Sequence, residues 1–472
     1  AEVYGPGSTA PALRRERRGW AGRPDGRRPA RPPRYPSASP EGPFPGLPPP
    51  MRTSSVAVLL LFGLSGVAGL GYQVAWTRMF SVGLGHELPG LLAVVTAFFV
   101  GLAIGAVALD RPVSRSRTPG RWFAGLELVV AAWAIVIAYA APWLNALAAE
   151  LMGPAPTPDR QWIVAFAVPA VALLPATVAM GGTLPAVERL AARLAGRGTT
   201  VAGLYAANTL GAAVGIVVAA TVLVPLLGLR GTVFVLAAID VACGLAMWLG
   251  PAADERERPP VAHAFADPPP RPELAALLLL TGLLGIGFEV AGVRVIGQVL
   301  ENTVYTYAST VCIYLLGTAI GAALWQRFGP TDRFASPAAF LLGTLAFAVA
   351  IGTAAMAATE PIYDGVREGL AGALGRGPSS IAGELVVAAL AFGPATVVMG
   401  ATFSHLVLAA RGPSGGIGWA MALNVLGSAV APPLVGVVLF PSMGGRWTLT
   451  LIAIAYVLLM PLVGPDRIRR WH

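Results

Sequence analysis

The sequence contains no lysine, two cysteines and four histidines, and only 12% of its 472 residues are charged. A typical soluble domain is about 25% charged, whereas 55% of this chain is hydrophobic and its mean hydropathy is +0.68. The shortage of charge excludes a soluble enzyme and a disordered chain, and the shortage of cysteine excludes a disulfide scaffold. A chain this long and this apolar can hide its surface only in a lipid bilayer.

Arginine supplies all of the positive charge, with a formal net charge of +9 and a pI near 10.1. The chain nevertheless has no clustered basic face with interleaved aromatic residues, so no nucleic-acid partner is expected. His86 and His405 are expected on opposite sides of the membrane, so they cannot face each other as haem ligands. No metal or other cofactor is expected, and no catalytic triad is recognisable.

The first 50 residues differ from the rest, since they hold 13 prolines and nine arginines. Such a segment cannot bury enough surface to fold. We expect either a disordered tail or a mis-assigned start, with Met51 as the natural beginning. A secretory signal over residues 51–75 is a further alternative, but the internal repeat described below argues against it.

Twelve apolar runs follow, each near the roughly 20 residues that a membrane-spanning helix needs. Their approximate positions are 54–76, 89–109, 122–143, 161–186, 201–226, 230–249, 274–296, 303–326, 336–357, 382–410, 416–440 and 446–463. The sequence therefore predicts an all-α, polytopic membrane protein with about 12 transmembrane helices.

The second half of the chain repeats the first at an offset of 216 residues. FVGLAIGA (99–106) matches LLGTAIGA (315–322), and PATVAMGGT (175–183) matches PATVVMGAT (394–402) at an offset of 219. Each half holds six spans, so the repeats are parallel, as in major-facilitator-type transporters, whose binding site lies between the halves. The expected parts are the tail 1–50, a repeat over 51–250, a cytoplasmic linker over 251–273, a second repeat over 274–465 and a tail over 466–472.

Arginines are divided unevenly between the loops. With the N-terminus inside, 17 arginines after residue 50 fall on the inner side and seven on the outer side. Since arginine-rich loops tend to stay in the cytoplasm, both termini are expected there, and the bacterial inner (plasma) membrane is the expected location.

Several motifs resemble the membrane half of the fused transporter-like spermidine synthase family. They are SGVAGLGYQVAWTR (65–78), TLPAVERLAARLAGRG (183–198), LYAANTLGAAVG (204–215) and VPLLGLRGT (224–232), with TGLLGIGFEVAGVR (281–294), MGATF (399–403) and LNVLGSAV (423–430) as a second copy. The resemblance implies a soluble aminopropyltransferase domain after the membrane part. This chain carries no Gly-rich cofactor loop, so enzymatic activity is not expected of it. The family pattern usually has Glu where this chain has Gln73, whereas the second copy keeps Glu289.

Ionisable groups inside a membrane cost roughly 2.5–3.5 kcal/mol or more, and they persist mainly when they are paired or functional. Glu289, Asp240 and Glu127 fall within predicted spans and are candidate substrate-binding carboxylates, together with the polar residue Gln73. The alternative for Glu289 is a structural ion pair with Arg294 or Arg78. Glu384 is expected to be solvated near the outer surface.

Two further sets of polar residues occur as matched pairs. Asn208 and Asn424 are candidates for solute contact or for interhelical hydrogen bonds. Four arginines at outer helix ends are candidates for gating or for structural ion pairs, and they could instead cap carbonyl groups or extend to the membrane surface. These arginines are Arg78, Arg294, Arg230 and Arg446.

The leading hypothesis is a transporter-like membrane protein that binds or moves a small organic cation such as a polyamine. One alternative is the membrane subunit of a split aminopropyltransferase, whose catalytic partner is a separate soluble protein. The other is a membrane scaffold without transport, which predicts that the intramembrane carboxylates are all paired with arginine.

Overall fold

The apolar runs form α-helices, because a chain in lipid must satisfy its own backbone N–H and C=O groups and a helix does so within one segment. The computed structural model describes residues 53–85, 87–194, 201–250, 268–300, 304–329, 337–410 and 417–463, and these residues contain no β-strand. The helices are α1 (Thr53–Leu84), α2 (Glu87–Arg115), α3 (Pro119–Met152), α4 (Pro158–Leu194), α5 (Val201–Val218), α6 (Val224–Leu249), α7 (Pro272–Gly297), α8 (Val304–Phe328), α9 (Pro337–Ala357), α10 (Thr359–Leu374), α11 (Arg376–Ala409), α12 (Gly418–Ala431) and α13 (Phe440–Leu459). Short π-helical segments, Ala219–Leu223 and Pro432–Leu439, join α5 to α6 and α12 to α13, and a 3₁₀ turn, Met460–Val463, follows α13.

Ten helical stretches of the described chain are long and apolar enough to cross a membrane. Two of them, Gly203–Leu249 and Gly418–Val463, have 47 and 46 residues, which is about 70 Å of helix and twice what a bilayer needs. Each is interrupted by a glycine with positive φ, Gly228 at 66° and Gly444 at 78°. Counting each stretch as two spans gives the twelve helices that the sequence predicts.

The chain reverses direction at the first of these breaks. Before Gly228, Gly215 packs against the backbone of Val67 in α1, and after it Leu236 packs against Gly71, one turn along the same helix. A straight helix would separate Gly215 from Leu236 by about 30 Å. The break at Gly228 therefore folds α6 back beside α5.

The two halves repeat the same helix contacts at the offsets found in the sequence. Gly66 packs against the backbone of Asn208, and Gly282 packs in the same way against Asn424. The other matched contacts are Gly211 on Gly63 and Gly427 on Leu279, Gly101 on Thr177 and Gly317 on Thr396, and Gly105 on Val178 and Gly321 on Val397. The protein is thus an all-α membrane protein built as two parallel six-helix repeats.

Each half has its own apolar core, and much apolar surface stays outside. Trp76 is fully buried in the first core and Phe392 in the second. Large apolar side chains such as Trp143, Leu226 and Phe340 are exposed, with Trp143 80% exposed. An exposed apolar surface of this kind needs lipid around it, so the chain is a multi-pass membrane protein.

The halves meet along two pairs of helices, α5 with α8 and α2 with α12. The first contact is an apolar cluster in which Val74, Ile216 and neighbouring alanines of the first half pack against Ala308 and Val311 of α8. The alanines in this cluster let the helices of the two halves approach closely.

A buried ion pair that the sequence analysis does not predict joins α2 to α4. The Arg189 guanidinium contacts the Asp110 carboxylate, and its Nη1 also donates to the Pro185 carbonyl at 2.8 Å. The side chains of Asp110 and Arg189 are 0% and 4% exposed. Burial of both charges together fixes the ends of these two helices relative to each other.

The sequence analysis also does not predict α10, which packs along α11. Tyr363 of α10 contacts Gly383, and the next residue, Glu384, is only 8% exposed. The expectation that Glu384 is solvated is therefore wrong, because α10 covers this part of α11.

The tail 1–50, most of the linker 251–273 and the tail 466–472 lie outside the described residues. The domain boundaries stay predictions.

Candidate functional site

A polar contact joins the two halves at Gln73. The Gln73 amide Nε2 donates a hydrogen bond to the Tyr307 hydroxyl oxygen at 2.7 Å. Gln73 is a buried residue of α1, and Tyr307 lies on α8 at the edge of the apolar cluster between the halves. Any movement that separates these helices must break this bond.

Glu289 is the counterpart of Gln73 in the second half, 216 residues later on α7. Its carboxylate lies within electrostatic reach of the hydroxyl groups of Tyr307 and Tyr314. Among the residues that the structure describes, none forms a hydrogen bond or an ion pair with Glu289. An acidic group therefore lies at the junction of the halves without a cationic partner among the described residues.

The structural ion pair between Glu289 and Arg294 is not formed. Arg294 Nη1 donates instead to the Gly436 carbonyl at 2.6 Å, and its guanidinium carbon lies 4.0 Å from the centre of the Phe440 ring. Gly436 belongs to the π-helical segment before α13. Arg294 thus caps a carbonyl group, one of the roles that its position predicts.

Two tyrosine hydroxyls converge beside Gly285, one helical turn before Glu289. A methyl group added at Gly285 would lie 3.1 Å from the Tyr314 hydroxyl oxygen and 4.0 Å from that of Tyr456. Tyr456 is fully buried, and its hydroxyl has no hydrogen-bond partner in the described chain. The absence of a side chain at Gly285 leaves both hydroxyls facing the same side of α7 as Glu289.

The first half contributes to this group as well. Tyr205 of α5 lies within electrostatic reach of Tyr314. Together with Gln73, it places polar side chains of both halves around Tyr307 and Tyr314. We refer to Gln73, Tyr205, Glu289, Tyr307, Tyr314 and Tyr456 as the junction site.

The other two predicted carboxylates lie inside the first half. Ser65 donates to Glu127 at 2.8 Å, and Tyr72 donates to Asp240 at 2.8 Å. The carboxyl groups of Glu127 and Asp240 also lie within electrostatic reach of each other. The structure brings these two residues together, in a network separate from the contacts of Glu289.

The matched asparagines make helix–helix contacts. Asn424 Nδ2 donates to the Leu278 carbonyl at 3.1 Å, and the Asn208 backbone packs on Gly66. Interhelical packing accounts for these contacts. A role in binding solute stays a prediction for both residues.

Two of the other matched arginines lie beside aromatic rings. Arg230 lies 5.5 Å from the Tyr139 ring, and Arg446 lies 5.9 Å from the Trp447 ring. In the described chain, neither of them pairs with a carboxylate. Arg78 also interacts with another residue. A gating role stays a prediction for all four arginines.

The junction site combines a carboxylate with aromatic hydroxyl groups. A carboxylate accepts hydrogen bonds and attracts cations, and a phenol both donates and accepts. Tyrosine rings also attract cations through their faces. The arrangement can therefore bind an organic cation without a metal or a cofactor taking part.

The sequence analysis predicts Glu289 and Gln73 as site residues and does not predict the tyrosines around them. One signal was present, because Tyr307 and Tyr314 are seven residues apart and so share a face of α8. Tyr456 gave no such signal, since it is the only tyrosine of α13.

No family model matches the chain, and no curated protein matches it. The fold, however, is that of major-facilitator-type transporters. The crystal structure of the human organic anion transporter MFSD10 (TETRAN) superposes with a TM-score of 0.50 and 14% identity, over 88% of this chain and 100% of that chain. At this identity the similarity concerns the fold alone.

Proposed function

We propose that the protein carries a small organic cation, such as a polyamine, across the bacterial inner membrane. The observation that supports this proposal is Glu289, which is held between the halves without a cationic partner among the described residues. A charged group in the bilayer costs roughly 2.5–3.5 kcal/mol or more, and a cationic solute would offset that cost. The nearby rings of Tyr307 and Tyr314 would add cation–π attraction.

Transport would follow from rocking of the two halves about the junction site. In this scheme the Gln73–Tyr307 hydrogen bond closes one end of the pathway and breaks when that end opens. We propose, from the arginine distribution, that both termini are cytoplasmic; this end of the pathway is then the outer one.

The positive charge proposed for the solute follows from the carboxylate in the junction site. The human protein is described as an organic anion transporter, but an anion would be repelled by Glu289. Arg294, the nearest arginine along α7, is already engaged with Gly436 and Phe440.

We propose that the other predicted solute-binding residues contact the solute in a different conformation of the protein. Glu127 and Asp240 have partners on neighbouring helices here, and Asn208 and Asn424 pack against α1 and α7. We propose that they meet the solute only after the halves move.

The two alternatives predict other contacts or other partners. A scaffold predicts that all intramembrane carboxylates pair with arginine, and Glu289, Glu127 and Asp240 do not follow that pattern. A split aminopropyltransferase predicts that a soluble catalytic protein co-purifies with the chain and that spermidine forms only when both are present.

Uptake of radiolabelled spermidine into proteoliposomes tests the proposal. Wild-type protein should accumulate the label, and Glu289→Gln should reduce the initial rate at least ~10-fold, because the lost charge is worth more than about 1.4 kcal/mol in a desolvated site. Glu368→Gln is the matched control, since Glu368 is 76% exposed on α10 and its loss should leave uptake unchanged. Equal uptake by wild-type and empty liposomes would contradict the proposal.

A further inference from the structure

Three oxygen groups lie on one side of α7, namely the Glu289 carboxylate and the hydroxyl groups of Tyr314 and Tyr456. Tyr314 lies within electrostatic reach of both other groups. The Tyr456 hydroxyl is buried and has no hydrogen-bond partner among the described residues. Buried polar groups are normally hydrogen-bonded, so this hydroxyl beside a second hydroxyl and a carboxylate indicates a ligand that supplies donors.

Gly285 defines the space in front of these oxygens. A methyl group there would approach the Tyr314 hydroxyl oxygen to 3.1 Å, the Met399 sulfur to 3.7 Å and the Tyr456 hydroxyl oxygen to 4.0 Å. In the first half the counterpart is Gly69, and a methyl group on Gly69 would meet nothing within 4 Å. The confined space therefore belongs to the second half alone.

The carboxylate and the two hydroxyl groups indicate which chemical group of a ligand would fit between them. A primary ammonium has three N–H donors and no acceptor, which matches one carboxylate and two hydroxyl acceptors. A quaternary ammonium has no N–H donor and is larger, so it would leave the oxygens unpaired and press on Gly285. A carboxylate ligand would be repelled by Glu289.

We infer that Glu289, Tyr314, Tyr456 and Gly285 form a subsite for a primary ammonium group, which selects amines that carry N–H donors over quaternary ammonium compounds. The inference rests on the proposed function, which requires only an organic cation. It adds the specificity of the subsite and assigns it to Tyr456 and Gly285. Sites that hydrogen-bond a ligand discriminate strongly against analogues that lack the matching group, because their own polar groups are then left unpaired.

The test compares 1,4-diaminobutane with its bis-trimethylammonium analogue as ligands of the purified full-length protein, by isothermal titration in detergent. Wild-type protein should bind the diamine at least ~10-fold more tightly. Tyr456→Phe should bring the ratio of the two affinities close to one, mainly by weakening diamine binding. Gly285→Ala should weaken diamine binding, whereas the matched variant Gly69→Ala should not.

The possible outcomes separate the inference from the proposed function. Equal affinities for the two ligands, or an unchanged ratio in Tyr456→Phe, would overturn the ammonium subsite while leaving a cation site in place. Absence of binding by both ligands would overturn the proposed function and the inference together. The melting temperature of each variant shows whether it is folded, and Tyr456→Phe removes only a hydroxyl group that has no partner.

Discussion

Gln73 and Tyr307 lie on helices of different halves, and the amide of Gln73 donates a 2.7 Å hydrogen bond to the hydroxyl oxygen of Tyr307. Val74 and Val311 lie on the same two helices and belong to the apolar cluster between the halves. A single hydrogen bond contributes about 0.5–1.5 kcal/mol to stability. It can therefore hold one arrangement of the halves and still be broken during transport.

This contact predicts a non-additive pair of substitutions. Gln73→Ala and Tyr307→Phe should each lower the melting temperature of the ligand-free protein. The double variant should melt no lower than the less stable of the two single variants. The reason is that both changes remove the same bond, so the coupling energy should be about 0.5–1.5 kcal/mol. Tyr305→Phe, two residues away on α8, serves as the control. Additive losses would show that the two residues act separately.

Because the Tyr456 hydroxyl has no partner, its removal should weaken ligand binding without lowering the stability of the protein. Tyr456→Phe should melt at or above the wild-type temperature, since an unsatisfied buried hydroxyl costs about 1–3 kcal/mol and its removal leaves no cavity on the carbon framework. Tyr72→Phe is the matched comparison and should melt lower, because Asp240 loses the 2.8 Å hydrogen bond from Tyr72. A lower melting temperature for Tyr456→Phe would show that its hydroxyl has a stabilising partner.

The two breaks in the long helical stretches predict strain for any side chain at Gly228 and Gly444. Their φ angles of 66° and 78° are combined with ψ angles of 179° and 167°, a region that is essentially restricted to glycine and costs other residues about 1–3 kcal/mol, so Gly228→Ala and Gly444→Ala should each lower the melting temperature. Gly365→Ala in the regular helix α10 should raise it slightly, because a methyl there meets nothing within 4 Å and alanine favours helix by about 1 kcal/mol. Equal changes in melting temperature at all three positions would contradict the positive φ angles at Gly228 and Gly444.

The buried pair of Asp110 and Arg189 predicts a large effect from removal of one charge. Asp110→Asn should destabilise the protein by about 3–5 kcal/mol, because Arg189 would remain buried without its carboxylate. Replacement of both, as Asp110→Leu with Arg189→Met, should recover much of that loss. Asp364→Asn tests an exposed pair with Arg367 and should change stability by less than about 1 kcal/mol. Thermal unfolding of the detergent-solubilised variants measures all three, and equal losses would contradict the burial of Asp110.

The sequence predicted the fold well because each span carries its own signal. Apolar length marks a helix in lipid regardless of what lies beside it, and the repeat of Gly66 and Asn208 as Gly282 and Asn424 reports contacts directly. Where the signal was weak, the prediction failed. The helix α10 is short and partly charged, so it was missed, and the burial of Glu384 was missed with it.

The junction site was only partly predictable for a different reason. Glu289 is conspicuous in the sequence, since a carboxylate within an apolar run is rare. The packing of α7, α8 and α13 determines how close Tyr314 lies to Tyr456. It also determines whether Arg294 contacts Glu289 or the Gly436 carbonyl. No local pattern encodes such packing.

Binding of spermidine to the purified protein by isothermal titration, with Glu289→Gln beside wild type, tests the central claim most directly. We expect saturable binding to wild type, at least ~10-fold weaker binding to Glu289→Gln, and wild-type affinity in the exposed-carboxylate control Glu368→Gln. Equal affinity of wild type and Glu289→Gln for spermidine would contradict the account, because the unpartnered carboxylate between the halves would then have no part in recognising the solute.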